Sequence, residues 1–405
     1  MSPSSSSSLT AFFARSRDFH SRHSRPISSS TTLERLVTAG QITRDDARRY
    51  VNSTRIIVHP EVRRLAGHFL AHKRVHGTVV ERQVYAAHLG WNVDSLILRL
   101  VEKRPLSFLG KRDTTLLRSG MTTADAAHAW DRVGGSHEKH PLTMDRYLTY
   151  EEMMLSSLIG VSGYTPYFND GDRHNKGVRG VPGSFQREGV QVGLVGARFE
   201  RRGRMDSTYA FSPTGNLPPA QFFPFALYFP GKDFEQRYKA RMRITVETLL
   251  LEAQMRGHEA NKRVYLHVVG LGLGVWAVHK DQRKWFLQVF ARCLAQLKPS
   301  GIAILELGHM DGDPAAKRNV EIEAYDCRAR CVFNRRPPSA RLPYDEFLLI
   351  TTYAWDSNSY PGNDFYMGML DASGDPAAAC SSAIAETQNP EINKNMLRGF
   401  VELRR

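Results

Sequence analysis

Acidic and amide side chains are concentrated in one stretch near the C-terminus, Tyr353–Asp364. The stretch begins at the last residue of FLLITTY, an apolar run that predicts a buried strand, and it holds two carboxylates and two amides within nine residues. A third carboxylate follows in the turn SGDPAAA. Converging carboxylates raise one another's proton affinity and can hold a guanidinium or position a water molecule. The sequence therefore predicts three candidate catalytic residues: Asp356, Asp364 and Asp375.

Neighbouring residues of the same block predict ligand contacts. An aromatic side chain in this block can stack on a base or close over a sugar, and the helix that begins near Pro376 can direct its N-terminus at the same ligand. The predicted contacts are Trp355, Asn358, Asn363, Ser373 and Gly374. The alternative is an ordered loop, in which Asp and Asn satisfy backbone groups, followed by a capped helix without a ligand.

A second candidate ligand segment is the glycine-rich run GLGLGVW at 270–276, directly after the β-rich run YLHVV. Glycines after a strand allow the backbone to approach a pyrophosphate, and a following helix N-terminus adds N–H donors. The predicted binding residues are Gly270, Gly272, Gly274, Val275 and Trp276. The spacing does not match the G-x-G-x-x-G dinucleotide fingerprint. A methyltransferase-like glycine loop and a purely structural tight turn therefore remain open as alternatives.

The elements that must position these residues alternate between helices and continuous apolar strands. Strands are predicted at 191–199, 264–269, 302–307 and 347–353, and helices at 151–158, 234–255, 281–297 and 376–385. This alternation predicts an α/β domain over 146–405, with a mixed, largely parallel sheet covered on both faces. Ligands of such sheets bind at the carboxyl ends of the strands, where the candidate segments lie.

The N-terminal third has a different character. Apolar stripes at helical spacing predict a small helical module over 32–145. Residues 1–31 are rich in Ser, with four Arg and one acidic residue, which is typical of a mitochondrial or plastid transit peptide or of a disordered tail. We therefore expect a cytoplasmic protein, with mitochondrial targeting as the alternative, and we leave this stretch out of the fold prediction.

Composition narrows the function classes. The net charge is +14, and residues 1–150 carry 23 basic and 13 acidic residues, or +10 of it. A basic surface can attract nucleic acid, so a nucleic-acid-binding protein is one alternative, although a solvated basic surface is favoured. No apolar run is long enough to cross a membrane, and four cysteines do not form a disulfide framework. Cys327 and Cys331 lack the second pair that a structural zinc site needs.

The glycine run GLGLGVW, the block WDSNSYPGND and the turn SGDPAAA together resemble one family. It is the divergent macrodomain family of the Legionella effector MavL and its eukaryotic relatives, which are similar to arginine-specific ADP-ribosyl-hydrolases. The resemblance covers roughly residues 150–400. It implies a macrodomain-like α/β/α sandwich that binds ADP-ribose across the strand ends. The family's catalytic acidic residues match Asp356, Asp364 and Asp375, with Asp364 standing where relatives have Glu.

The resemblance implies removal of ADP-ribose from modified arginine on a protein, with ubiquitin as the bacterial effector's substrate. The scheme requires no metal and no cofactor. The glycine run suits the pyrophosphate, the aromatic residues suit the adenine or ribose, and the carboxylates suit the guanidinium and the attacking water. The main alternative is a non-catalytic ADP-ribose reader with the same fold. A methyltransferase and a nucleic-acid-binding protein are the remaining hypotheses, and no membrane partner is expected.

Overall fold

The computed structural model describes residues 3–23, 32–86, 90–123, 127–209, 211, 220–310, 312–356, 358–362 and 364–404. Within these residues, one large mixed sheet has eight strands. Their order is β11 (Phe400–Glu402), β1 (Arg55–Val58), β5 (Gly160–Pro166), β6 (Glu188–Leu194), β10 (Leu348–Ala354), β7 (Val264–Val268), β8 (Ile302–Gly308) and β9 (Arg330–Asn334). The five strands from β6 to β9 in this order are parallel, β5 is antiparallel to both of its neighbours, and β11 is parallel to β1.

The described helices cover both faces of this sheet. They are α1 (Pro3–Arg22), α2 (Leu33–Thr38), α3 (Arg44–Ser53), α4 (Pro60–His76), α5 (Val79–Val84), α6 (Val93–Glu102), α7 (Ala127–Trp130), α8 (Tyr150–Ser156), α9 (Phe234–Ala260), α10 (Gln282–Leu297), α11 (Pro314–Asp326), α12 (Asp375–Ser381) and α13 (Ile384–Thr387). One apolar core packs α9, α10 and α11 against the central parallel strands. A second core joins α12 and α13 to the helices of the N-terminal third.

The sheet changes its direction of winding at β10. The chain runs from β6 through α9 to β7, then outward through α10, β8 and α11 to β9, and it returns to insert β10 between β6 and β7. The connection after β7 packs in the first core, whereas α12 and α13, which follow β10, pack in the second. A crevice opens between two parallel strands whose following connections leave for opposite faces, and ligands of α/β proteins bind there.

The predicted α/β class is confirmed, and its long helices and apolar strands fall close to the predicted ranges. The strong apolar stripe predicted at 234–255 belongs to α9, whose first turn is capped by Asp233 and whose last residue is followed by Asn261 in the left-handed conformation (φ 49°). The runs predicted as buried strands form β7, β8 and β10, which are almost completely buried. Fully apolar strands are typical of a parallel sheet with both faces covered.

The N-terminal third differs from the predicted helical module, because part of it belongs to the main sheet. β1 lies between β11 and β5, so the chain on both sides of residue 145 contributes to one sheet. A small antiparallel sheet is formed by β2 (Ser107–Leu109), β3 (Thr114–Leu116) and β4 (Thr122–Thr123). These strands have two to four residues each, which is too short for a periodic pattern to show in the sequence.

The N-terminal segment also differs from the predicted tail, since residues 3–22 form α1. The buried residues Leu9, Phe12, Phe13 and Phe19 lie on one side of α1 and join the second core. Ser16 donates a hydrogen bond to the buried carboxylate of Glu386, which also accepts the backbone N–H of Leu33. The Ser- and Arg-rich composition masked an apolar stripe at helical spacing. Residues 1–2 and 24–31 lie outside the described residues.

Among the described helices, none combines the length and the apolar character needed to span a membrane.

Candidate functional site

Three neighbouring parallel strands bring their carboxyl ends together at the crevice beside β10. Arg198 follows β6, Asp356 follows β10, and Trp276 follows β7. The guanidinium of Arg198 joins the other two: its Nη1 lies 3.7 Å from Oδ1 of Asp356, and its carbon Cζ lies 5.5 Å from the centre of the Trp276 ring. The glycine-rich run and the acidic block therefore meet at one place, through an arginine that the sequence did not single out.

Arg198 is almost completely buried, with 1% of its surface exposed. Its Nη2 lies 3.4 Å from a carboxylate oxygen of Glu200 and 3.6 Å from Oδ1 of Asp113. Its Nε and Nη1 have no hydrogen-bond partner among the described residues. A buried guanidinium needs compensating charge, and here carboxylates on several sides supply it.

Asp356 is buried beside this guanidinium, with 7% of its surface exposed, and Oδ1 accepts the backbone N–H of Asn358 at 3.2 Å. Burial raises the pKa of Asp356 to about 6, because a carboxylate loses hydration in the interior. Arg198 and the Asn358 N–H oppose this rise, while the charges of Glu200 and Asp113 add to it. A carboxylate that titrates near neutral pH suits proton transfer.

The N-terminal third supplies a further carboxylate to this cluster. Asp113 lies in the turn between β2 and β3, is fully buried, and adopts a left-handed backbone conformation (φ 53°). Its Oδ2 accepts hydrogen bonds from the hydroxyl of Tyr150 and from Nε of Arg201, the latter at 3.0 Å. The cluster is thus built from segments on both sides of the predicted boundary at residue 145.

The other two predicted catalytic residues are Asp375, which follows the acidic block Tyr353–Asp364, and Asp364, which is its last residue. Asp375 begins α12, is buried, and accepts the backbone N–H of Gly362 at 2.5 Å, so its carboxylate ties the acidic block to the start of the helix. A Cβ on Gly374 would lie 3.1 Å from the carbonyl oxygen of Ala354, which shows how closely this helix start approaches the end of β10. Asp364 begins a short 3₁₀ turn, Asp364–Met367, and its side chain lies outside the described residues, as does the whole of Asn363.

The remaining predicted contacts of the acidic block are in different environments. Trp355 is completely buried, with the Arg104 guanidinium 3.9 Å from its ring centre, and its indole N–H donates to the carbonyl of Ser359 at 3.0 Å. Asn358 is also completely buried, whereas Ser373 is exposed. The indole predicted to stack on a ligand therefore packs against an arginine of the N-terminal third and braces the loop that carries Asp356.

The glycine-rich run passes very close to the segment after β6. A Cβ on Gly196 would lie 2.3 Å from the backbone nitrogen of Gly272, and a Cβ on Gly272 would lie 2.8 Å from the carbonyl oxygen of Ala197. Gly272 also has a positive φ of 72°, whereas Gly274 has open space around its Cβ position. The structural requirement for glycine is therefore strong at Gly272 and weak at Gly274.

We expect Gly272→Ala to lower the free energy of unfolding by about 2–4 kcal/mol, from backbone strain and overpacking together. Gly274→Ala is the matched control, two residues further on, and should change stability by less than about 0.5 kcal/mol. Urea unfolding of both variants measures the difference. Equal stability of the two variants would contradict the backbone crossing described here.

A cavity of about 440 Å³ lies beyond the ends of β7 and β8. Its lining comes from the glycine-rich run, the start of α10 and the turn before α11: Leu273, Ala277, His279, Lys280, Asp281, Gln282, Arg283, Lys284, Gly312 and Asp313. Three of these side chains are cationic and two are carboxylates. Val275 is next to the cavity lining in sequence and has 82% of its surface exposed. Asp356 does not line the cavity. The cavity and the carboxylate cluster around Arg198 are therefore two separate features of the same sheet edge.

One group of potential metal ligands occurs among the described residues, away from this edge. Ligand atoms of His59, Glu61 and Glu247 lie within 4.8 Å of one another. Arg243 bridges the two carboxylates: its Nη1 lies 3.0 Å from Oε1 of Glu61 and 3.0 Å from Oε2 of Glu247. His59 caps the start of α4 through its Nδ1 and faces Glu247 through its Nε2. A guanidinium thus supplies the positive charge that a metal ion would bring.

Comparison with known proteins places this chain in a family. The MavL-like ADP-ribosylhydrolase family matches residues 11–211 and 231–401. ADP-ribosylarginine hydrolase CG3568 of Drosophila melanogaster is 32% identical over 405 residues, covering 88% of this chain and 78% of that protein. ADP-ribosylarginine hydrolase CG2909 of the same organism is 29% identical over 394 residues, covering 85% and 77%.

These matches define the class of protein first: this chain is a hydrolase. More narrowly, it belongs to the MavL-like ADP-ribosylhydrolase family, so the resemblance predicted from the three motifs is confirmed. The family match begins at residue 11 and therefore includes most of α1 and the N-terminal third, which the predicted resemblance over 150–400 left out. This agrees with a fold in which β1 and Asp113 belong to the same body as the acidic block.

Proposed function

We propose that this protein removes ADP-ribose from modified arginine side chains. The observation that carries the proposal is the buried Asp356, at the carboxyl edge of the switch between β10 and β7, with a pKa raised towards neutrality. The two Drosophila relatives named for ADP-ribosylarginine hydrolysis support the same substrate.

The carboxylates of the cluster suit a cationic substrate group. Three carboxylates (Asp113, Glu200 and Asp356) form ion pairs with two guanidiniums (Arg198 and Arg201). The linkage in ADP-ribosyl-arginine is itself a guanidinium, a group that carboxylates bind through charge-assisted hydrogen bonds.

In the reaction, Asp356 acts as the general base. A water molecule attacks C1″ of the distal ribose and gives one proton to the Asp356 carboxylate, and its hydroxyl becomes the new C1″ hydroxyl. The C1″–N bond breaks through an oxocarbenium-like transition state, and its electron pair goes to the departing guanidine, as in other glycosidic cleavages. The guanidine then takes up the proton that the carboxylate holds, which restores both charged groups.

We place the nucleotide end of ADP-ribose towards the glycine-rich run. The proposed contacts are the predicted binding residues other than Trp355, which is completely buried against Arg104. They are Gly270, Gly272, Gly274, Val275, Trp276, Asn358, Asn363, Ser373 and Gly374. Asp364 and Asp375 are further catalytic candidates. Trp276 lies against Arg198, and the cavity beyond β7 offers cationic side chains close to the run. A cavity of this size is ordinary for a small-molecule site.

Two finer aspects belong to the same proposal. We infer a macrodomain-like architecture, because the mixed sheet is covered on both faces and its candidate site lies at the carboxyl ends of parallel strands. We also propose a protein-linked substrate, with ubiquitin as the first to test, because that protein is the substrate implied by the resemblance to the bacterial effector. A reader that binds ADP-ribose without hydrolysis is the second candidate function.

Calorimetric titration with ADP-ribose, followed by incubation with an ADP-ribosylated arginine peptide, tests the proposal. We expect binding with a Kd of about micromolar order and release of free ADP-ribose, measured by liquid chromatography. Binding without release would favour the reader. No binding of ADP-ribose, together with a thermal shift on addition of S-adenosylmethionine, would instead favour a methyltransferase.

The pH dependence follows from the role of Asp356. We expect kcat/KM to fall as the pH is lowered through about 6, because the base is active only as the carboxylate. Activity assays between pH 4.5 and 8.5, with substrate binding measured at each pH, check this. An activity that rises on acidification through this range would mean that Asp356 works as an acid and would contradict the assigned role.

A further inference from the structure

We propose that Arg198 is a positioning residue for Asp356, and that Asp113 holds Arg198 in place from another side. This inference rests on the proposed function, because it concerns the carboxylate that acts there as the base. Neither residue was singled out by the sequence motifs, and each comes from a segment outside the acidic block.

Nearby carboxylates and aromatic rings hold the guanidinium of Arg198 in position more than hydrogen bonds do. Its guanidinium lies 5.6 Å from the centre of the Phe108 ring and 5.5 Å from that of Trp276. Nε and Nη1 make no hydrogen bond to any described residue, although both are buried. Leaving such donors unpaired costs free energy that a purely structural arginine would avoid. This guanidinium therefore lies where it serves the carboxylates.

Asp113 is suited to be the fixed partner. Tyr150 and Arg201 both donate to its Oδ2, and the turn between β2 and β3 fixes its backbone. Its Oδ1 makes no hydrogen bond to a described residue and lies 3.6 Å from Nη2 of Arg198. The charge of Arg198 is thus shared between an immobile carboxylate and Asp356, which is the one that titrates near neutral pH.

This sharing predicts shifts of opposite sign in the pKa of Asp356. The charged groups that act on Asp356 are Arg198, Glu200, Asp113 and the buried Arg104. Removing Arg198 takes away an attractive cation, so the pKa of Asp356 should rise. Neutralising Asp113 takes away a repulsive anion and leaves the whole charge of Arg198 to Asp356, so that pKa should fall. The shift in the pKa of Asp356 should be about one pH unit or more for removal of Arg198, whose guanidinium lies 3.7 Å away, and smaller for neutralisation of Asp113.

The experiment measures the pKa of Asp356 in Arg198→Gln, Arg198→Lys and Asp113→Asn. The free energy of unfolding of each protein is compared with that of the same protein carrying Asp356→Asn, between pH 4 and 8, so that the difference reports the titration of Asp356 alone. The acid limb of kcat/KM is measured in parallel. Arg256→Gln is the matched control, since Arg256 is another buried arginine, paired with Glu252.

We expect the titration midpoint of Asp356 to rise in Arg198→Gln and to fall in Asp113→Asn. In Arg198→Lys and Arg256→Gln it should stay within about 0.3 pH units of the wild-type value. If Arg198→Gln does not fold, the inference is still tested by the fall of the midpoint in Asp113→Asn and by the unchanged midpoint in Arg198→Lys. Midpoints that do not move in Asp113→Asn, or that move equally in the Lys variant and the Gln variant, would overturn the inference. The stability measurement needs no turnover. A wild-type protein without hydrolase activity would therefore contradict the proposed function and leave this inference to be decided by the midpoints.

Discussion

Asp356→Asn should lower kcat for hydrolysis of ADP-ribosyl-arginine by about 10²- to 10⁴-fold, the range expected for loss of a general base. Asn is isosteric with Asp and keeps an oxygen that can accept the Asn358 N–H, so the loop after β10 should keep its shape. Steady-state release of ADP-ribose, measured at pH 8, is the assay. The binding constant for ADP-ribose should change far less than kcat, because the side chain acts on the bond that ADP-ribose no longer has.

The same variant should not lose stability at pH 8. The pKa of Asp356 is higher in the folded chain than in an unfolded one, so the protonated carboxyl group contributes to stability. This contribution is complete below the unfolded pKa and is lost as the pH rises through about 6. Above that pH the folded protein holds the negative charge at a cost that Asn removes. Asp345→Asn, at an exposed carboxylate paired with Arg341, is the control for both measurements. An Asp356→Asn protein that is fully active, or one that is inactive only because it unfolds, would contradict this role.

Phe12→Ala in α1 should reduce the free energy of unfolding by about 3–5 kcal/mol, the usual cost of deleting a buried aromatic ring. Phe12 is completely buried in the core that also contains α12 and α13. Chemical denaturation followed by fluorescence measures the change. Arg17 lies on the same helix as Phe12 and forms an exposed ion pair with Glu34. Arg17→Ala should therefore lower the free energy of unfolding by less than about 1 kcal/mol.

The helix α1 also reaches the acidic block. Phe19 packs edge-on against Tyr366 at a ring-centre distance of 5.5 Å, and Tyr366 belongs to the 3₁₀ turn that begins at Asp364. Loosening of α1 should therefore lower activity together with stability. A Phe12→Ala protein as stable as the Arg17→Ala protein would show that α1 is not part of the folded core.

Half of the large sheet, the four strands β6, β7, β8 and β10 of its eight, could be predicted from the sequence, because the signals that define these strands are local. The apolar runs of β7, β8 and β10 and the long stripe of α9 are continuous in the chain, and burial on both faces requires such runs. The strand β1 could not be found in this way. It has four residues between two helices, and only its pairing with β5 and β11, both distant in sequence, makes it a strand.

Only part of the candidate site could be predicted, because the rest depends on contacts between residues that are distant in sequence. The acidic block and the glycine-rich run are local patterns, and the structure brings them together through Arg198. Arg198 and Asp113 carry no motif, since their importance arises from burial beside Asp356. The one available signal is position: Arg198 lies at the carboxyl end of the strand predicted at 191–199, where α/β proteins place ligand-binding residues. The environment of Trp355 was equally hidden, because Arg104, which stacks on it, lies far away in the chain.

The measurement that tests the central claim most directly is linkage-specific hydrolysis by the wild-type protein. Peptides carrying ADP-ribose on arginine, on serine and on glutamate are incubated with enzyme at pH 7.5, and the modified and free peptides are quantified by mass spectrometry. We expect release of ADP-ribose from the arginine peptide, with little release from the other two. Turnover of the serine or glutamate peptide with an intact arginine peptide would contradict the claim that this cluster of carboxylates acts on a guanidinium-linked ADP-ribose.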